Sequence, residues 1–287
     1  MRLPKFDGSP DYYGLVAQGF DAISSTYDAF EGENAINKRL RRRMQEALFQ
    51  SFKAGSRVLE IGCGTGIDAL VLAGSEVEVL ATDISQRMVD LVEKKVADAG
   101  IRNLRCRRLA AHELGNLIDE FGEASFDGAF SHGGVLNLEP RLQETARHLG
   151  RLLRSRGRFI CSVVNQTSLF ELLFYPLVLR PRKAFRRLGH DVPVPITRQP
   201  AQRNYAVPAR FYSPRAFIRY FDGEFVLRHL TGLQILLPPW NLADEYDRLA
   251  PVARIAESVE DRIADKPPVN AWGNLFLAEM ERRDERC

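Results

Sequence analysis

The sequence predicts an α/β protein with a doubly wound, mostly parallel sheet. Three observations carry that prediction: apolar β-forming runs alternate with helical patterns from residue 57 to residue 165, a glycine-rich turn joins the first run to the helix after it, and an acid closes the second run. "RVLEI" at 57–61 is the first strand, and the segment after Thr65 is a helix. "VEVLAT" at 77–82 is the second strand, followed by the helix "SQRMVDLVEKKVADAG" at 85–100, which Gly100 can cap. "NLRCRRLA" then reads as a strand, "HELGNLIDE" as a short helix, "FDGAFS" as a strand, "RLQETARHLGRLLRSRG" as a helix and "RFICSVVN" as a fifth strand. Strands separated by helices imply right-handed crossovers and helices on both faces of the sheet.

After Asn165 the alternation breaks. Residues 166–211 hold an apolar helix, the basic stretch "RPRKAFRR" and the Pro-rich "HDVPVPITRQPAQRNYAVPAR", which is expected to be irregular. This reads as an insertion over one end of the sheet. "SPRAFIRYF" resumes the pattern as a helix, with Ser213 as its N-cap and Pro214 at its first position. "EFVLRHLTGL" follows as a strand, "LADEYDRLAPVARIAESVEDRIAD" as one or two helices and "NLFLAEMERR" as a last strand.

With 287 residues, 45% of them hydrophobic, the chain can bury one core with insertions and needs no staples. Charged residues make up 27% and nearly cancel at net +3, so charge alone points to neither nucleic acid nor membrane. Cys63, Cys106, Cys161 and Cys287 lie far apart and form no CxxC pair; free thiols in a reducing cytoplasm are expected, and no metal site. The first residues carry acids and no continuous apolar stretch, and the longest apolar run, "LFELLFYPLVL" at 169–179, holds Glu171 and Pro176 and is too short to span a bilayer. A soluble, cytoplasmic protein is expected.

The glycine turn is the most informative feature. Ile61 ends a strand and Gly62, Gly64 and Gly66 precede a helix, so unhindered backbone and a helix N-terminus meet at the carboxyl edge of the sheet, where open α/β sheets bind ligands. A dinucleotide fingerprint needs glycine where Ile67 stands, and no Gly-Lys-Ser/Thr follows for a phosphate loop. Glu60, just before the turn, would repel a pyrophosphate and welcome a cationic amine. Asp83 ends the second strand about 20 residues past Gly62, where a carboxylate accepts both ribose hydroxyls. A ligand with an amino acid at one end and a ribose at the other fits these features together, and S-adenosylmethionine is that ligand.

"EIGCGTG", followed by an acid at the second strand, resembles the class I S-adenosylmethionine-dependent methyltransferases. "VLEIGCGTG", "FDGAFSHGGVLNL" and "LLRSRGRF" are most similar to the branch acting on small molecules and quinones. The resemblance implies a Rossmann-like fold of seven strands, the last inserted antiparallel, with "EFVLRHL" and "NLFLAEM" completing the sheet. It implies one methyltransferase domain over 1–287, divided into an N-terminal helical cap (1–50), a cofactor-binding core (51–165), a helical lid insertion (166–212) and the C-terminal part of the sheet (213–287). Carried over by motif, Gly62, Cys63, Gly64 and Gly66 belong to the loop on the methionine part, Glu60 supports its amino group and Tyr27 touches its carboxylate. Asp83 holds the ribose, Ile84 and Met88 flank the adenine, and Ser131 lies beneath the sulfonium. One departure stands out: where the family has an acid-small pair for the adenine amino group, this chain reads "LAAHEL". Adenine is then held by the backbone of Ala110 and Ala111 or by His112.

A sulfonium is already an activated methyl donor, so the main task is to place the acceptor in line in a dry site. A general base is needed only where the acceptor is protonated at neutral pH. His132, just past the fourth strand, is the candidate base, or else a histidine that shapes its loop; His190 in the insertion is a second candidate. His148 and His229 fall within a helix and a strand pattern and read as structural. Tyr12 and Tyr13 either wall the acceptor pocket or simply pack, and Tyr205, Tyr212 and Trp240 are candidates of the same kind.

The expected reaction is in-line transfer to a small apolar or aromatic acceptor, such as a natural-product or quinone-like intermediate, leaving S-adenosylhomocysteine. The basic residues Arg180, Arg182, Lys183, Arg186, Arg187 and the more distant Arg198 beside an apolar helix read as a solvated lid, or as a surface for an anionic membrane or a phosphorylated substrate. The alternatives are an RNA methyltransferase whose "RPRKAFRR" tracks phosphates and a non-catalytic protein that binds the cofactor as a signal. Nucleic acid is disfavoured, since "SHGGVLN" stands where an amide methylase carries Asn/Asp-Pro-Pro-aromatic.

Overall fold

The computed structural model describes residues 5–189, 192–196, 206–239 and 250–284. Three helices precede the sheet: α1 (Pro10–Ile23), α2 (Tyr27–Glu33) and α3 (Ala35–Ser51). Their starts follow from local chemistry. Ser9 accepts the Tyr12 N–H ahead of Pro10, and the Asn34 side chain accepts the N–H groups of Ile36 and Asn37.

The alternating core then runs β1 (Arg57–Ile61), α4 (Ile67–Ala73), β2 (Glu78–Asp83), α5 (Gln86–Ala99), β3 (Leu104–Arg108), α6 (Asn116–Phe121), β4 (Phe126–Ser131), α7 (Leu142–Leu152) and β5 (Leu153–Val164). The insertion forms α8 (Leu169–Leu177), α9 (Pro181–Ala184), β6 (Val192–Pro195) and β7 (Ala206–Ala209), and the chain returns through α10 (Pro214–Ile218), β8 (Phe225–Leu233), α11 (Ala250–Ile263) and β9 (Leu275–Arg282). Seven strands make one sheet in the order β3-β2-β1-β4-β5-β9-β8, with β9 antiparallel to both neighbours. This is the Rossmann-like, doubly wound arrangement the sequence predicts.

The strands are apolar on both faces because both faces are covered. Leu59 and Ile61 of β1 pack in one cluster with Leu149 of α7 and Phe217 of α10, while Val58 packs in the other with Leu48 of α3 and Leu72 of α4. Ser213 caps α10 as expected, its hydroxyl accepting the Ala216 N–H, and Gly100 ends α5 at φ +66°.

Two segments differ from expectation. The helical pattern of "RLQETARHLGRLLRSRG" stops at Leu152, because Leu153 already pairs with Phe126 of β4 and the register shifts before Arg158 pairs with Gly128. The Pro-rich stretch is regular where it is described: β6 and β7 pair antiparallel, with Pro193 opposite Pro208. Prolines facing each other occupy alternate positions of the ladder, where no N–H has to be donated. Among the described residues, no helix is long and apolar enough to cross a membrane.

Candidate active site

A cavity of about 670 Å³ opens at the carboxyl ends of β1, β2 and β4. The sheet order reverses between β1 and β4, so the turns leaving these strands diverge and leave a crevice. Residues of α1, α2, α3 and the insertion complete the wall.

The glycine turn forms one side. The N–H groups of Gly62 and Cys63 both donate to the Thr82 carbonyl, at 2.8 and 2.9 Å, which folds the turn back on β2. Gly62 has φ +71°, and a Cβ there would lie 2.4 Å from Val135 Cγ1. The Tyr27 ring stands above Gly64, its Cε1 3.6 Å from where a Cβ would be. Gly64, Cys63, Glu60 and Tyr27 all line the cavity.

Asp83 also lines it. Its Oδ2 accepts the Gly64 N–H at 2.8 Å and its Oδ1 the Ser85 N–H at 2.8 Å, which fixes the carboxylate and leaves each oxygen a further lone pair. Burial pushes the carboxyl up to about 6 even against those donors. Glu60 is 2% exposed, and burial, reinforced by Asp68, raises it well above the carboxylate range. Its Oε2 has no hydrogen-bond partner among the described residues. An orphaned carboxyl oxygen in this wall is what a ligand amine would satisfy, so the residues fit S-adenosylmethionine. Ile84, Leu109, Ala110 and Ala111 form an apolar wall beside Asp83. The Ala110 N–H is already taken by Glu113 Oε2 at 2.9 Å.

His132 lines the same cavity and is held from behind. Its Nδ1 lies 2.8 Å from Asp68 Oδ2, and that oxygen also accepts from Arg41 Nη1 at 2.5 Å, while Asp68 Oδ1 accepts from Gln45 Nε2 at 2.9 Å. Burial alone would raise the Asp68 carboxyl, but the facing His132 ring and the Arg41 guanidinium outweigh it and hold it below the usual range. An ionised carboxylate only accepts, so Nδ1 carries the proton and Nε2 is the basic nitrogen of the neutral ring. Arg41 continues to Glu31 Oε2 at 2.6 Å. Asp68, Arg41 and Glu139 are wall residues that sequence reasoning missed. Glu139 accepts the Tyr13 hydroxyl at 2.5 Å and the Arg141 N–H at 2.8 Å.

Several expected site residues lie elsewhere. Tyr12 is fully buried and its hydroxyl donates to the carbonyls of Leu138 and Pro208, so it ties α1 to the insertion while Tyr13 alone of the pair reaches the wall. Tyr212 is buried among Phe217 and Tyr220, outside the wall. Met88 is buried in the first turn of α5, behind the wall. Ser131 is buried with its hydroxyl donating to the Ile61 carbonyl at 2.9 Å, joining β4 to β1 rather than facing the cavity. Gly66 serves packing: a Cβ there would meet Val92 Cγ2 of α5 at 2.8 Å. His112 stacks on Tyr13 at 4.2 Å and faces Glu139, outside the cavity wall. His190, Tyr205 and Trp240 lie outside the described residues. Among the described residues, no cluster of His, Cys, Asp and Glu could hold a metal ion.

Residues 58–157 match the model of a methyltransferase domain. Two curated demethylmenaquinone methyltransferases, from Symbiobacterium thermophilum and Geobacillus kaustophilus, are each 28% identical, over 151 and 158 residues. The matches cover 51% and 54% of this chain and 57% and 65% of the relatives, so the chain spans about three fifths of their length. Among solved structures, the 4+2 cyclase SpnF superposes with a TM-score of 0.63 at 15% identity, covering 99% of both chains. A Burkholderia thailandensis 1,6-didemethyltoxoflavin-N1-methyltransferase, solved with 1,6-didemethyltoxoflavin and S-adenosylhomocysteine, superposes at 0.59 with 16% identity over 99% of this chain and 94% of that one. Identities this low speak for the shared fold alone. The domain match over 58–157, the demethylmenaquinone methyltransferases among its relatives and the seven-stranded order of its sheet together support a class I S-adenosylmethionine-dependent methyltransferase.

Proposed function

We propose that this protein transfers a methyl group from S-adenosylmethionine to a small apolar or aromatic metabolite bearing an ionisable hydroxyl. The observation that carries the reading is His132, backed by Asp68, in the wall of the cavity that also contains the glycine turn and Asp83. The cofactor, when bound, supplies a methyl group already activated on a sulfonium. Glu60 pairs with its amino group, Asp83 accepts from its ribose hydroxyls, and Ile84, Leu109, Ala110 and Ala111 enclose its base. Tyr27 closes over the glycine turn and excludes water from the donor side.

His132 Nε2 takes the proton of the acceptor hydroxyl, so that the phenolate oxygen or the ring carbon it activates becomes the nucleophile, and Asp68 stabilises the resulting imidazolium. Val16, Phe20, Leu138, Val194, Val207 and Phe211 give the remaining wall its apolar character, which favours a ring-bearing acceptor and keeps the site dry. The names of the curated relatives make demethylmenaquinone, in the reduced quinol form that carries hydroxyls, the first acceptor to try.

The test is formation of S-adenosylhomocysteine from S-adenosylmethionine with chemically reduced demethylmenaquinone and a panel of phenolic acceptors. Acceptor-dependent turnover that His132→Ala abolishes, with cofactor affinity retained, supports the reading. Tight cofactor binding with no turnover on any acceptor would replace it with a cofactor-binding protein that does no transfer.

A further inference from the structure

We propose that the outer face of the α8–α9 segment is a docking surface for an anionic lipid bilayer. Between residues 173 and 188 the chain leaves Leu173, Leu177, Val178, Leu179, Phe185 and Leu188 exposed, Leu177 at 81% and Leu179 at 89%. No other stretch of the described residues exposes large apolar side chains at this density. Arg180, Arg182, Lys183 and Arg186 are exposed among them, and no acid occurs between Glu171 and Gly189.

This face does not belong to a loosely held loop. Glu171, Tyr175, Ala184 and Arg187 are buried on the inner side. Arg187 donates to Glu171 Oε1 at 2.7 Å and to the carbonyls of Asn165 and Asn274, each at 3.1 Å, and the Leu169 N–H donates to the Trp272 carbonyl at 2.9 Å. A charge-paired inner side and a leucine-tipped outer side are the reverse of what a lid facing water requires.

Charge complementarity selects the occupant. Leucine and phenylalanine tips reach the acyl boundary while guanidinium and ammonium groups on the same segment stay at the level of anionic headgroups. A second copy of the chain is a poor fit, since a two-fold interface would bring this set of cations onto itself. A polynucleotide would use the cations and leave the leucines in water. The surface rests on exposure and charge and holds whatever the cavity accepts. Arg187 of the same segment lines the cavity, so docking sets the lipid surface and the cavity wall on two sides of one element.

The test is co-sedimentation of the full chain with phosphatidylcholine vesicles, with and without phosphatidylglycerol, at physiological ionic strength. The protein should sediment with the anionic vesicles and stay in solution with the neutral ones. Leu177→Glu/Leu179→Glu should lower the partition at least about tenfold, and Arg180→Ala, Arg182→Ala and Lys183→Ala about fivefold each, with circular dichroism and thermal melting unchanged. Three outcomes overturn the proposal. These are a wild-type protein that stays in solution with anionic vesicles, a leucine variant that partitions as the wild type does, and a wild-type dimer that the leucine variant converts to monomer.

Discussion

Alanine at Gly62 should damage both the fold and the cofactor site, by an amount the geometry sets. The new Cβ would lie 2.4 and 2.5 Å from the two Val135 methyls, far inside contact distance. Forcing an extra carbon into a packed site costs roughly 1–3 kcal/mol. At φ +71° an L side chain adds left-handed strain of about 1–2 kcal/mol. The unfolding free energy should therefore fall by about 2–5 kcal/mol. Because the proposed cofactor site is built on this turn, affinity for S-adenosylmethionine should fall with it. Val135→Ala separates the two contributions, since it removes both clashing methyls and leaves only the Val135 Cβ at 3.0 Å. In a double-mutant cycle read by urea denaturation and calorimetric titration, Gly62→Ala/Val135→Ala should recover about 1–3 kcal/mol relative to the sum of the single changes. Additive costs, or a Gly62→Ala protein as stable as the wild type, would refute the packing argument.

Other expectations are simpler. Asp83→Ala removes the carboxylate we assign to the ribose hydroxyls and should weaken cofactor binding by about 1.5–3 kcal/mol per lost bond at most; unchanged affinity by calorimetry would remove Asp83 from the site. The same carboxyl titrates near 6, and only its ionised form accepts from both hydroxyls, so affinity should fall as pH drops through about 6 and level off above it; a flat profile between pH 5 and 8 would contradict this. The matching stability effect has the opposite sense. Its folded value lies above that of an unfolded aspartate, so the cofactor-free protein should lose about 3 kcal/mol as pH rises from about 4 to about 6, checked by denaturation across that range. His132→Ala should lower kcat by about 100-fold to 10,000-fold on a hydroxyl acceptor without changing cofactor affinity. Asp68→Asn should lower kcat as well and shift the acid limb of the pH–rate profile, which a purely structural aspartate would leave in place.

The parts legible in the sequence were those whose cause is local. β1 and β4 stand at the residues where "RVLEI" and "FDGAFS" lie, because a buried parallel strand is a continuous apolar run bounded by turn residues. The glycine turn and Asp83 were legible because positive φ and a strand-end carboxylate leave marks in residue type. The end of α7 was not: "LRSRG" continues the helical pattern, and only pairing with Phe126 draws Leu153 into β5. Tyr12 and Tyr13 are neighbours of the same type, and their different roles depend on carbonyls at Leu138 and Pro208, far along the chain. Asp68 reads as an ordinary acid in the first turn of a helix, favourable there for its charge alone. Its work depends on Arg41 and His132, which no spacing rule connects to it.

That shared carboxylate ties the proposed base to a helix that precedes the sheet. Arg41 and Gln45 of α3 grip Asp68, Asp68 grips His132, and Arg41 reaches Glu31 at the end of the short helix that begins with Tyr27 above the glycine turn. In the reaction we propose, the packing of α3 on Asp68 and the alignment of the His132 ring are therefore linked. One carboxylate thus joins three parts of the wall, the pre-sheet helix α3, the helix after the glycine turn and the loop after β4, so that a change at Arg41 is felt at the ring of His132.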